Sequence, residues 1–135
     1  MLQTILIGNS VTSIGNEAFS GCHSLISIII PNCVTSLGDS VFAGCSRLKS
    51  VVISNSIKSF GIKAFADCLE LTNITIPDSV TSIGEKAFAQ CFSLKTLEIP
   101  NGVTSIENSS FTGCSQLLSV IIGNSVTSIK SYAFS

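Results

Sequence analysis

The chain has no tryptophan, one histidine, one tyrosine, one methionine and three prolines, and charged residues make up only 11% of its 135 positions. Each scarcity excludes something. Seven basic residues against eight acidic ones leave a formal net charge of -1, so there is no electrostatic footprint for nucleic acid or an anionic membrane surface. No apolar run approaches the roughly 18 residues of a spanning helix, and membrane insertion is not expected. The opening MLQTILIGNS lacks the basic region of a signal peptide. The carboxylates are scattered and His23 stands alone. Nothing suggests a catalytic group or a metal or cofactor site, so no enzyme and no cofactor are expected.

What is abundant is repetition. Cys22, Cys45, Cys68, Cys91 and Cys114 lie 23 residues apart. So do Leu2, Leu25, Leu48, Leu71, Leu94 and Leu117, and so do Phe19, Phe42, Phe65, Phe88, Phe111 and Phe134. A fixed period of this length is the signature of a stacked solenoid, and nearly six copies exceed the roughly three that a stable stack needs. Both ends break off inside a repeat, without the polar caps such stacks carry. Residues 1–135 are therefore expected to be one domain and a piece of a longer array, with ends open to end-to-end self-association.

The copy at residues 69–91 is the cleanest. Ile74 and Ile76 alternate with Thr75 as in a strand, and β-branched residues favour that reading. Pro77 removes a backbone donor and ends the strand. Val80 and Ile83 mark a second short strand near Thr81–Ile83. Gly84 is expected to supply a positive backbone angle at the next turn. Glu85–Gln90 is expected to make one helical turn with Ala87 and Phe88 inward. The fold class is thus an α/β-type, strand-rich repeat solenoid of about six coils. Its first strands should form a parallel sheet on the concave side, because helical turns elsewhere are bulkier. The other copies depart from this one at Ser54, Lys58, Phe60, Glu107 and Lys130, and at Gly8 and Gly123 in the proline position.

Residues 76–94, IPDSVTSIGEKAFAQCFSL, match the string I-P-x-S-V-T-S-I-G-x-x-A-F-x-x-C-x-S-L throughout. On that string the chain resembles the BspA-like leucine-rich repeat family, a class with 23-residue repeats. The resemblance implies a right-handed leucine-rich-repeat solenoid. It also implies a cell-surface or secreted protein of a bacterium or protist, with adhesion to host cells or extracellular-matrix proteins as a family role. No binding motif carries over residue by residue.

Several positions invite closer reading. A straight cysteine column cannot converge four ligands on one zinc ion, so buried free thiols packing as small apolar groups are expected. Cys33 replaces a turn serine and is expected to be an exposed thiol. Asp39 and Glu85 share a column about 10 Å apart, and Arg47 is expected to pair with Glu70. Thr12, Thr35, Thr81, Thr104 and Thr127 form a hydroxyl ladder of the kind that suits ice or polysaccharide binding. Asn73-Ile-Thr and Asn108-Ser-Ser are glycosylation acceptors.

The outward row of the first strands is Leu6, Ile29, Val52, Thr75, Glu98 and Ile121. Its apolar members should meet water, and exposed contiguous apolar surface marks interfaces. Strand propensity, with burial by further segments of a longer parent, explains the same row without a partner. The function expected from sequence is a protein-interaction or adhesion module that binds a protein partner through this row. A passive structural spacer in a longer surface protein is the alternative.

Overall fold

The computed structural model describes all residues, Met1–Ser135. It contains eleven short strands and no helix. In chain order they are β1 (Thr4–Ile5), β2 (Ser13–Ile14), β3 (Ser27–Ile30), β4 (Ser36–Leu37), β5 (Ser50–Ile53), β6 (Ser59–Phe60), β7 (Ser82–Ile83), β8 (Thr96–Ile99), β9 (Ser105–Ile106), β10 (Ser119–Ile122) and β11 (Ser128–Ile129). Every pairing is parallel and joins the same position of successive coils, for example Ile29 to Val52 and Glu98 to Ile121. The chain is a strand-rich parallel solenoid with three walls: first strands, second strands and a wall of turns.

The turn wall corrects the expected helical turn. Ala87, Ala89 and Cys91 donate back three residues, to Gly84, Lys86 and Phe88. Lys86, Phe88 and Gln90 instead donate forward, to Asn108, Ser110 and Thr112 of the next coil. Alternate residues therefore look in opposite directions, which a helix with its uniform i to i−4 bonds cannot do. The alternation is made by a left-handed residue at Glu17, Ser40, Lys63, Lys86, Ser109 and Tyr132, with φ between 53° and 58°. Each costs about 1–2 kcal/mol as a non-glycine residue. The bonds sent to the next coil offset that cost. With no helix on this wall, the bulk expected to set the first strands on a concave side is missing too.

The glycine column has a different purpose from the one expected. Gly84 does not have a positive φ. A β-carbon on Gly38, Gly61 or Gly84 would lie 2.5–2.6 Å from an atom of the coil before. Glycine is required there because coil backbones touch.

Inside the walls, Leu25, Leu48, Leu71 and Leu94 are fully buried. The phenylalanine column stacks from Phe19 to Phe134 with ring centroids 5.2–5.5 Å apart and interplanar angles of 8–15°. Such pairs add about 0.5–1.5 kcal/mol beyond the area they bury. Phe60, one of the departures, is buried edge-on to Phe65 and Phe88.

The two strand walls are not continuous. First strands form β1-β3-β5 and, separately, β8-β10, while second strands form β2-β4-β6-β7 and β9-β11. Asn73–Ile76 keeps the alternating burial of a strand but joins no ladder, so the cleanest copy lacks its expected first strand. Full four-residue ladders form where the arriving coil carries Ser54 or Gly123 at the strand end. Where it carries Pro31 the ladder has two residues, and where it carries Pro77 or Pro100 there is none. Gly123 N–H donates to Ile99 at 2.9 Å, a bond proline cannot make. On the second wall the break falls where Glu107 replaces the column glycine. Its carboxylate turns to Ser105 and to Lys130 of the next coil, and Thr104 N–H has no backbone partner, unlike Thr35, Thr81 and Thr127. Loss of the glycine alone does not part the wall, since Lys130 stands in the same column and β9 still pairs with β11.

Candidate interaction surface

The outward positions of the first-strand wall are Leu6, Ile29, Val52, Thr75, Glu98 and Ile121, and all six are exposed. Solvent reaches 97% of Leu6, 63% of Ile29, 58% of Val52 and 61% of Ile121. Their exposure follows from strand alternation, since Ile28, Ile30, Val51, Leu97 and Ile99 beside them point into the core. The ladder brings Ile29 against Val52 and Glu98 against Ile121. Thr75 lies between these pairs on the unladdered segment.

That segment floors a cleft of about 620 Å³ lined by Asn73, Thr75, Asp78, Thr96, Glu98 and Ile121 among others. The side chains of Ile74, Ile76 and Leu97 are buried, yet these residues also line it. No N–H or C=O of Asn73–Ile76 makes a hydrogen bond within the protein. Glu98 and Asp78 form no ion pair and no side-chain hydrogen bond.

Beside the row, a second opening lies under Asn9, Asn32 and Asn55 and is bounded by Ser54. Ser54 is buried in the proline position, and its hydroxyl has no partner. Sequence reading marked Ser54 only as a departure. Its orphaned hydroxyl becomes visible once the proline position proves to be buried.

The other marked positions are structural. Cys45, Cys68, Cys91 and Cys114 each send Sγ to the carbonyl of Phe19, Phe42, Phe65 or Phe88, at 3.1–3.3 Å. They are hydrogen-bond donors as well as core fillers, which spacing alone could not show. Burial, reinforced by the neighbouring thiol below, pushes Cys45 up to about 11. Burial pushes Cys114 to about 11 and raises Cys68 and Cys91 as well. These thiols stay neutral and unreactive near neutral pH.

Cys33 is half-buried against the core, not exposed, with Sγ 3.8 Å from the Gly8 carbonyl. Its position leans on the coil before, as Ser79 shows by donating to Ile57 at 2.7 Å. Glu70 pairs with Lys49 at 3.6 Å and not with Arg47, because the flexible lysine reaches it diagonally across the corner. Asp39 accepts a bond from Ile62 N–H at 2.7 Å, and Glu85 pairs with Lys86. Asp39 is thus committed to the scaffold, while Glu85 makes only an exposed pair with its sequence neighbour. Thr35, Thr81 and Thr127 turn their hydroxyls back to the carbonyls of the preceding coil, which removes donors from the ladder that ice or polysaccharide would need. His23 is exposed and makes no side-chain bond. Lys130 meets Glu107, and this hydrogen bond, with a second from Ser105, holds the Glu107 carboxyl below its usual range.

No helix of the structure is long and apolar enough to cross a membrane. Comparison with known proteins agrees with the geometry. Six copies of the BspA type leucine rich repeat region match residues 1–92 and 41–135. A leucine rich cell surface protein of Faecalibacterium prausnitzii superposes with a TM-score of 0.86 and 41% identity over 93% of this chain and 34% of its own. A leucine-rich repeat protein of Bacteroides ovatus gives 0.77 and 32% over 93% and 38%, and one from T. pallidum gives 0.67 and 26% over 88% and 66%. The chain thus spans little more than a third of the length of the first two. A comparison with curated protein sequences gives no match. Matched along its whole length by that repeat, the chain belongs to the BspA-type leucine-rich repeat family.

Proposed function

We propose that this chain is a protein-interaction module of a cell-surface protein and acts in adhesion through its first-strand wall. The observation that carries the reading is the row Leu6, Ile29 and Val52, three large apolar side chains exposed to water, the last two held there by the β3–β5 ladder, whose Ile28, Ile30 and Val51 are buried. Removing such a patch from water is the main source of favourable association energy. The surface location rests on the description of the Faecalibacterium prausnitzii relative as a cell surface protein. A host-cell or extracellular-matrix protein is the partner class put forward. A binding screen against matrix proteins, host-cell surfaces and glycans tests this, with Ile29→Lys and Val52→Lys alongside. Both positions are exposed, so the variants fold. Saturable binding that weakens at least tenfold in them supports the reading, and binding indifferent to both moves the site off this wall.

One observation favours a spacer instead. The phenylalanine stack and the thiol-to-carbonyl bonds run unbroken through the coils, including the junction where the strand walls part. Such a spine suits a stiff rod. Absence of any partner, together with full tolerance of the lysine variants, would favour that role.

A further inference from the structure

We infer that the opening under Asn9, Asn32 and Asn55 binds a neutral sugar unit, one ring of a glycan carried by the partner protein. This rests on the interaction reading above, since the opening is also lined by Ile29 and Val52, and it gives that partner a chemistry. The first support is Ser54. It is 8% exposed, lines the opening, and its hydroxyl has no partner in the protein. The other buried serine, Ser110, donates to the Glu107 carbonyl at 2.8 Å. Pro31, Pro77 and Pro100 take the place of Ser54 in three other coils and have no hydroxyl to satisfy. Buried polar groups of folded chains are almost always paired. The bond that Ser54 lacks is one that a ligand hydroxyl seated in the opening can supply.

The second support is the rim. The side chains of Asn9, Asn32 and Asn55 are exposed and make no hydrogen bond within the protein. Farther along the same column, Asn101 differs, since its Oδ1 accepts a bond from Asn124 N–H at 2.9 Å. A carboxamide offers both donors and an acceptor, and a hydroxyl likewise donates and accepts. Three amides on successive coils, about 4.8 Å apart, can therefore meet neighbouring hydroxyls of a sugar. No charged residue lines the opening, which favours a neutral sugar over a sialylated one. Ile29 and Val52, paired in the ladder and exposed, give a shelf for the C–H face of the ring. The volume of about 640 Å³ is in the range that small ligands occupy.

The experiment lays the folded chain on an array of neutral and sialylated glycans. Bound glycans are then titrated against the native chain, Asn32→Ala and Ser54→Ala. Asn32 is exposed and Ser54→Ala removes an unsatisfied buried group, so both variants fold, which thermal melting checks. Binding of neutral glycans is expected, weakened about fivefold in each variant, the worth of one hydrogen bond. No binding of any neutral glycan, preference for the sialylated ones, or equal binding by either variant would overturn the inference. The wider reading is separated by a protein partner stripped of its glycans with a glycosidase. If that partner still binds, and is weakened by Val52→Lys but not by Asn32→Ala, the reading of the wall stands and this one falls.

Discussion

The junction between residues 23–45 and 46–68 and the junction between 69–91 and 92–114 are built from the same repeat, yet they close differently. At the first, both strand walls are laddered and the turn wall adds three bonds, from Ser40, Phe42 and Gly44. At the second, neither strand wall is laddered; the turn-wall bonds from Lys86, Phe88 and Gln90 remain, with bonds from Ser93 to Leu69, from Lys95 to Thr72 and from the Cys114 thiol to Phe88. Of the many differences between residues 46–68 and 92–114, two fall where the ladders part: Ser54 becomes Pro100 at the strand end, and Gly61 becomes Glu107 in the glycine column. Stacking of side chains and pairing of backbones are therefore separable in this fold. The core column continues across a junction whose sheets have parted.

The largest effect should come from cutting that shared column. Phe65 is fully buried between Phe42 and Phe88, whereas Phe134 is 41% exposed. Phe65→Ala should cost roughly 3–5 kcal/mol in urea unfolding, and Phe134→Ala far less. Equal costs would mean that the column is not the stabilising element.

How much of this was legible in the sequence follows from what repeats. Column residues announce themselves because every coil must fill the same space, so Leu71, Phe88 and Cys91 could be placed inward from spacing alone. The turn wall was misread because Glu85–Gln90 has good helical composition, while the forward bonds that override it exist only in the stacked array. Gly84 suggests a positive φ from its own turn position, whereas the constraint comes from the coil before. The row from Leu6 to Ile121 was legible from alternation. The open floor at Asn73–Ile76 was not, because the prolines that bound it looked like ordinary strand ends.

Transplanting the open junction into the closed one is the next test. Gly61→Glu places a side chain where a β-carbon already lies 2.6 Å from Asp39. It should cost about 1–3 kcal/mol, the range for overpacking. A variant as stable as the native chain would remove backbone contact as the reason for the glycine column.

The reverse change should be milder. Pro100→Ser with Glu107→Gly restores the missing donor and the missing glycine. It should stabilise the chain by about 1 kcal/mol, the net worth of a backbone hydrogen bond or two, and slow exchange of the Thr104 amide. A stable fold with Thr104 still unprotected would show that other residues hold the junction open.

The smallest effect belongs to the Glu107–Lys130 pair, which bridges the next junction, where both strand walls are laddered. Its carboxyl is lowered in the folded chain, so its contribution is present above the unfolded value near 4.5 and is lost as pH falls through the folded one. Glu107→Gln should cost less than about 1 kcal/mol at neutral pH and nothing at low pH. A difference that persists in acid would mean that packing, not charge, is what Glu107 supplies.

Hydrogen exchange of the native chain tests the parted junction most directly. Thr35, Thr81 and Thr104 occupy one position in three coils, and the first two donate to the coil before at 2.9 Å while Thr104 does not. Slow exchange at Thr35 and Thr81 beside fast exchange at Thr104 and across Asn73–Ile76 is the predicted result. Uniform protection at all of these amides would contradict it.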